Sequence, residues 1–90
     1  MAIAVWSKVD GENVAHALGV VRQQLNAVEH EVILDFSLVS RLDPSALRAM
    51  EELAKAATDK EVKVGLRGVN IDVYKVIKLV KLTPRFFFVT

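Results

Sequence analysis

The residues best suited to chemistry gather in one stretch of nine positions: Ser37, Ser40, Asp43 and Ser45, with Pro44 between the last two, directly after an apolar run that ends at Phe36. Asp followed by Pro is what a helix start favours. The carboxylate accepts a bond from an otherwise unpaired N–H, and proline at the first helical position gives up an N–H that the helix would not have used. A helix N-terminus also carries partial positive charge, so a phosphate on Ser45, or an anion resting on the N–H groups of Ala46 and Leu47, is electrostatically favoured there. Plain capping by Asp43 is the competing reading.

Turnover chemistry is not expected. A serine nucleophile needs a base, and His16 and His30, the only two histidines, fall on the first helix and in the turn after it. Seven residues separate Asp35 from the next carboxylate, Asp43, and no second acid, metal-binding histidine or glycine-rich phosphate loop completes a site. No catalytic residue, metal or cofactor is therefore expected. The absence of cysteine excludes disulfides, zinc ribbons and thiol catalysis. Gly65 and Gly68 match no nucleotide fingerprint and suit a close backbone approach and a turn.

Those residues must be positioned by strands and helices in alternation. Ala2 to Val9 reads as a strand, with Ile3 and Val5 on one side, Trp6 on the other and Asp10-Gly11 at its end. Val14, Leu18, Val21, Leu25 and Val28 form one helical stripe, capped by Asp10 or Asn13. Glu31 to Phe36, apolar on both faces, reads as a central strand. After a loop from Ser37 to Leu42, a helix runs from Pro44 to about Thr58, burying Leu47, Met50, Leu53, Ala54 and Ala57 and turning Arg48, Glu51, Glu52 and Lys55 to water.

Glu61 to Arg67 alternates strictly, Val62, Val64 and Leu66 against Lys63, Gly65 and Arg67, so one face of that strand is wet and two layers are favoured over three. Gly68 to Asn70 turns into a third helix, Ile71 to Val80, through Val73, Val76, Ile77 and Val80, with Lys75, Lys78 and Lys81 outside. Pro84 blocks more helix, and Phe86 to Val89 forms the last strand. The expectation is an α/β, two-layer fold, βαβαβαβ, with a four-stranded, mostly parallel sheet and three helices.

Ninety residues, 52% of them hydrophobic and 26% charged, suit a single domain with one core. No apolar run approaches the roughly 20 residues of a membrane span, so no direct membrane insertion is expected. Met1 to Ser7 lacks a basic start and a long apolar region, which makes the cytoplasm the default location. Residues 1–59 hold five basic and nine acidic side chains, and residues 60–90 seven and two, giving −4 and +5. No aromatic-basic stacking motif accompanies the lysines, so nucleic acid is not an expected partner.

Taken in order, Glu31-Val-Ile-Leu-Asp-Phe-Ser37, Leu42-Asp-Pro-Ser-Ala-Leu47, Glu51-Glu-Leu-Ala54 and Val62-Lys-Val-Gly-Leu-Arg-Gly-Val-Asn70 resemble the STAS domain, from about Val5 to Val80. That family includes bacterial anti-sigma-factor antagonists and the cytoplasmic tails of sulfate-type transporters. Phosphorylatable members carry Asp-Ser-Ser-Gly-Leu, or Thr for the first Ser, with the phosphate on the residue after Asp. Here Asp43 matches the Asp, Pro44 falls on the phosphoacceptor, Ser45 on the second Ser, Ala46 on the Gly and Leu47 on the Leu. The acceptor hydroxyl is missing, which leaves Ser45 or Ser40 as substitutes.

The resemblance implies a non-enzymatic interaction module that binds an anti-sigma factor of the switch-kinase type, or another signalling protein, through Asp43, Pro44, Ser45, Ala46, Leu47 and Met50. The alternative it implies is a sensing subunit for a small anion or nucleotide, or one associated with lipid transport. The chain is expected to be one domain, residues 1–90, lacking the family's usual first strand and last helix. Neighbours in a strand face opposite sides, so Phe86, Phe87 and Phe88 cannot all point inward. An exposed aromatic edge is an aggregation hazard or an interface, and a homodimer or a docking site for another chain is expected there.

Overall fold

Val32, Ile33 and Leu34 are buried on both faces of a strand with a neighbour on either side, as their unbroken apolar character requires. The computed structural model describes residues 4–27 and 30–89. Its elements are β1 (Ala4–Lys8), α1 (Val14–Gln24), β2 (Glu31–Asp35), α2 (Pro44–Asp59), β3 (Lys63–Arg67), α3 (Ile71–Leu79) and β4 (Phe87–Val89), with short 3-10 turns at Leu25–Ala27 and Thr83–Arg85. The expected strand start at Ala2 and Ile3, and Val28 of the first helical stripe, lie outside the described residues.

All four strands pair in parallel, in chain order. Each helix thus joins neighbouring strands, and right-handed crossovers send every helix to the same side. The core agrees: Val32, Leu34, Val64 and Leu66 pack with Leu18 and Val21 of α1, Met50 and Leu53 of α2, and Val73 and Ile77 of α3. The expected two-layer α/β architecture is the one observed. Ile33 is buried on the opposite face, apart from the main core, and no helix of the described residues covers that face. Across that open face the register sets three rows, Glu31 beside Lys63, then Trp6, Ile33, Gly65 and Phe87, then Lys8, Asp35, Arg67 and Val89.

Several local expectations are corrected. Neither side chain expected to cap α1 does so: Asn13 holds the cap position without a side-chain bond, and Asp10 spends its carboxylate on the Glu12 N–H, at 2.9 Å. In α2 the buried positions are Ala46, Met50, Leu53, Ala54 and Ala57, whereas Leu47 is only half-buried and stands apart from the core. Ala46, Met50, Leu53 and Ala57 follow one another at spacings of four, three and four, a single stripe of the helix, and Leu47 lies at its edge. On β3, the expected wet face is wet only at its ends: Gly65 is buried because the ring of Phe87 lies over it, where a Cβ would overlap.

The third helix ends at Leu79, so Val80, expected in its buried stripe, is exposed, and Val76 is half-buried. The helix stops ahead of Pro84 through its own backbone. Leu82 N–H bonds to the Ile77 carbonyl and Lys81 N–H to that of Lys78, both at 3.0 Å, with Lys81 left-handed at φ 64°. At the end of α2, Val62 bonds to Ala57 and Glu61, at φ 57°, to Thr58 in the same pattern. Of the three phenylalanines, Phe86 is buried with the core, Phe88 packs against it and meets Tyr74 edge-on at 5.2 Å, and Phe87 takes the open face.

Candidate functional site

The Asp43-Pro44 pair starts α2 as its chemistry demands. Asp43 is extended, its Oδ1 accepts the Ala46 N–H at 2.7 Å and its carbonyl accepts that of Leu47 at 3.0 Å. Pro44 has no N–H to offer. The two donors expected to hold an anion, on Ala46 and Leu47, are therefore already bonded. A carboxylate also sits where the anion would rest. Beside it, Gly11, Glu12, Ser40, Arg41, Leu42 and Asp43 line an open cleft of about 540 Å³, in which two acids face one guanidinium. Its charge gives an anion no advantage.

The loop that delivers Asp43 is held by contacts from the two neighbouring loops. Gly11, after β1, lies so close to the Leu38 carbonyl that any Cβ would collide with backbone. Gly68, left-handed at φ 73° in the turn after β3, packs beside Ser37. Asn70 does two things: its Oδ1 caps α3 through the Val73 N–H at 2.7 Å, and its Nδ2 donates to the carbonyls of Val39 and Ser40 at 3.2 and 3.4 Å. Gly11, Asn70 and this tie were not anticipated as site elements. An Asn at a helix start is legible as a cap, but its second bonding group reaches residues 30 positions away.

Asp35, at the end of β2, accepts the Ser37 N–H at 2.9 Å, which folds the chain back as the loop begins. Bonding from Ser37, through its side chain and then its backbone, holds the carboxyl below its ordinary pKa, with the charges of Arg67 and Lys8 adding to the effect.

The family model for the STAS domain matches residues 1–90. The chain belongs to the STAS domain family. No curated protein matches it in sequence. Among solved structures, the fold is similar to a putative anti-sigma-factor antagonist from Thermotoga maritima, at 20% identity and a TM-score of 0.76, covering 98% of this chain and 81% of that one. It is also similar to a sulfate transporter family protein from Wolinella succinogenes, at 18% identity and a TM-score of 0.79, covering 98% and 80%. The phosphorylated form of the Bacillus cell-fate determinant SpoIIAA matches at 18% identity and a TM-score of 0.59, covering 99% and 81%.

In this STAS domain Asp43, Pro44 and Ser45 are exposed together, and Leu47 is half-buried beside them. Ala46 and Met50, expected on the same surface, point into the core: Met50 is fully buried, so both hold the helix in place and present nothing to a partner. Ser40 is exposed, with its backbone carbonyl held by Asn70. Two further apolar side chains border the tie. Leu38, next to Val39, is 56% exposed, and Ile71, next to Asn70, is 71% exposed. His16 and His30 are exposed on α1 and in the bend before β2. Among the described residues no three His, Cys, Asp or Glu side chains cluster to hold a metal, and no helix is long and apolar enough to cross a membrane.

Proposed function

We propose that this STAS domain is a non-enzymatic docking module that binds a regulatory protein, an anti-sigma factor of the switch-kinase type or a related regulator, through the start of α2. One observation carries the reading: the Ala46 and Leu47 donors are taken by Asp43, while Leu47 stays half-exposed beside it and Leu38 and Ile71 stay exposed next to the loop tie. Apolar side chains flanking a satisfied cap suit a protein surface better than a small anion. The docking residues are then Asp43, Pro44, Ser45 and Leu47. Where this module is switched by phosphate, the hydroxyl of Ser45 or Ser40 replaces the one that Pro44 lacks. A phosphate on Ser45 would place its charge beside the Asp43 carboxylate and change what a partner meets there.

Titration calorimetry with a purified switch-kinase-type anti-sigma factor tests this. Leu47→Asp is expected to weaken binding at least tenfold with the melting transition unchanged, Ser45→Asp to weaken it less, and Asp59→Ala, exposed at the opposite end of α2, to leave it unaltered. Equal affinity of Leu47→Asp and the parent chain would overturn the docking surface. Titration with inorganic phosphate is expected to leave the Ala46 and Leu47 amide resonances in place, and a saturable shift confined to them would revive the anion-sensing alternative.

A further inference from the structure

Among the described residues no element covers the face of the sheet turned away from the helices, and its central pattern of charge and size is its own complement. Trp6 is 58% exposed there and Phe87 is half-buried, with Ile33 beneath them. The Arg67 guanidinium reaches across β2 to lie 5.6 Å from the centre of the Trp6 ring. The apolar row of Trp6, Ile33 and Phe87 is bordered toward the amino ends by Glu31 and Lys63, and toward the carboxyl ends by Asp35 and Arg67, with Lys8 at the β1 edge and Val89 at the β4 edge of the same row. In both border rows the acid stands on β2 and the base, directly in register, on β3.

From this we propose that a second copy of this chain covers the open face, stacked face to face about a twofold axis that runs along the strands between β2 and β3. That operation lays β2 of one copy on β3 of the other. Glu31 then meets the partner's Lys63, Asp35 meets the partner's Arg67 once that guanidinium swings off the Trp6 ring, each pair occurs twice, and the apolar rows fall on one another. The other aligned stack, with strands antiparallel, lays β2 on β2 and β3 on β3. It sets Glu31 against Asp35 and Lys63 against Arg67, like charges at every meeting, and is thereby excluded. Opposite charges in facing positions fix orientation and register.

The face is small. Four strands about 4.8 Å apart and five residues at about 3.3 Å give roughly 300 Å² of plane, below the patch of about 800 Å² per partner in a standard complex. The dimer is therefore micromolar or weaker, concentration-dependent and weakened by salt. It leaves the α2 starts free and, because the strands run the same way, displays both at one end, where a two-sited partner gains from binding them together. The pairing does not depend on what α2 binds.

Analytical ultracentrifugation from about 10 µM to 1 mM, with fluorescence of the single tryptophan, tests it. The average mass is expected to rise toward twice that of the monomer while the Trp6 emission moves to shorter wavelength. Glu31→Lys and Lys63→Glu are each expected to weaken pairing at least tenfold, because each sets two like-charged pairs across the axis. An equimolar mixture is expected to pair again, since one chain now brings two bases and the other two acids to the same rows. Trp6→Glu, at an already exposed position, should hold the chain monomeric. A parent chain at monomer mass throughout, a mixture that fails to pair, or a doubled mass with Trp6 emission unmoved would each overturn the proposal.

Discussion

Asp43 and Asn70 occupy the same position ahead of their helices, with nearly the same extended backbone (φ −87°, ψ 172° and φ −78°, ψ 167°) and the same 2.7 Å bond to the N–H three residues on. Their second polar groups part company. Asn70 turns an amide toward the carbonyls of Val39 and Ser40, binding the α3 start to the loop before α2, while the Asp43 carboxylate makes no bond beyond its own helix among the described residues. Two identical caps thus do unequal work: one ties its own helix start to the neighbouring loop, and the other is what that arrangement displays. The difference lies in an amide that can donate as well as accept.

The sharpest way to break this division is to move the loop without touching either cap. Gly11→Ala puts a Cβ into the Leu38 carbonyl, a backbone atom that cannot swing aside as a side chain could. A loss of about 3 kcal/mol is expected in denaturant unfolding, at the upper end for overpacking. Partner binding should fall further than Asp43→Ala alone would cause, because the displayed surface itself is displaced. A Gly11→Ala chain of parental stability would mean that the loop before α2 is not held by this contact.

Much of this arrangement is legible in order of residue type. The Asp-Pro start of α2, the apolar run of β2 and the valine-leucine stripe from Val14 to Leu25 each satisfy one local rule, and the structure keeps all three. What escapes is set by partners distant in sequence. Gly65 reads as the wet side of an alternating strand until Phe87, 22 positions later, lies over it. Leu47 outranks Ala46 in hydrophobicity, yet Ala46 is the one in line with Met50, Leu53 and Ala57 and the one buried. Val80 fits the α3 stripe, but Lys81 turns left-handed and ends the helix first.

Exchanging the caps sharpens the comparison at the next scale. Asn70→Ala removes both the cap and the tie, and should cost about 2 kcal/mol, roughly 1 for the cap and 1 for carbonyls left unpaired. Asn70→Asp keeps the acceptor but turns an acid toward the Val39 and Ser40 carbonyls, so about 1 kcal/mol is expected to go. The reverse exchange, Asp43→Asn, retains the cap and touches no tie, and its stability should stay within a few tenths of a kcal/mol of the parent. If both exchanges cost the same by chemical denaturation, the two helix starts are equivalent and the tie contributes nothing.

The smallest effect concerns the acid that begins the same loop. Asp35 titrates below its ordinary range because Ser37 bonds to the carboxylate, with Arg67 and Lys8 assisting. A carboxyl depressed by folding binds its proton more readily when unfolded, so its contribution is fully present above the unfolded value, about 3.9, and is lost as pH falls through the lower, folded one. In that interval the stability of the parent chain should rise with pH, and Asp35→Asn should flatten the rise while leaving the curve above about pH 5 parallel to the parent. Because the carboxylate is open to solvent, the change is slight and best read from the Asp35 side-chain resonance by NMR. A midpoint at or above the ordinary carboxylate value would show that Ser37 does not hold this end of the loop, leaving Gly11 and Asn70 to do so alone.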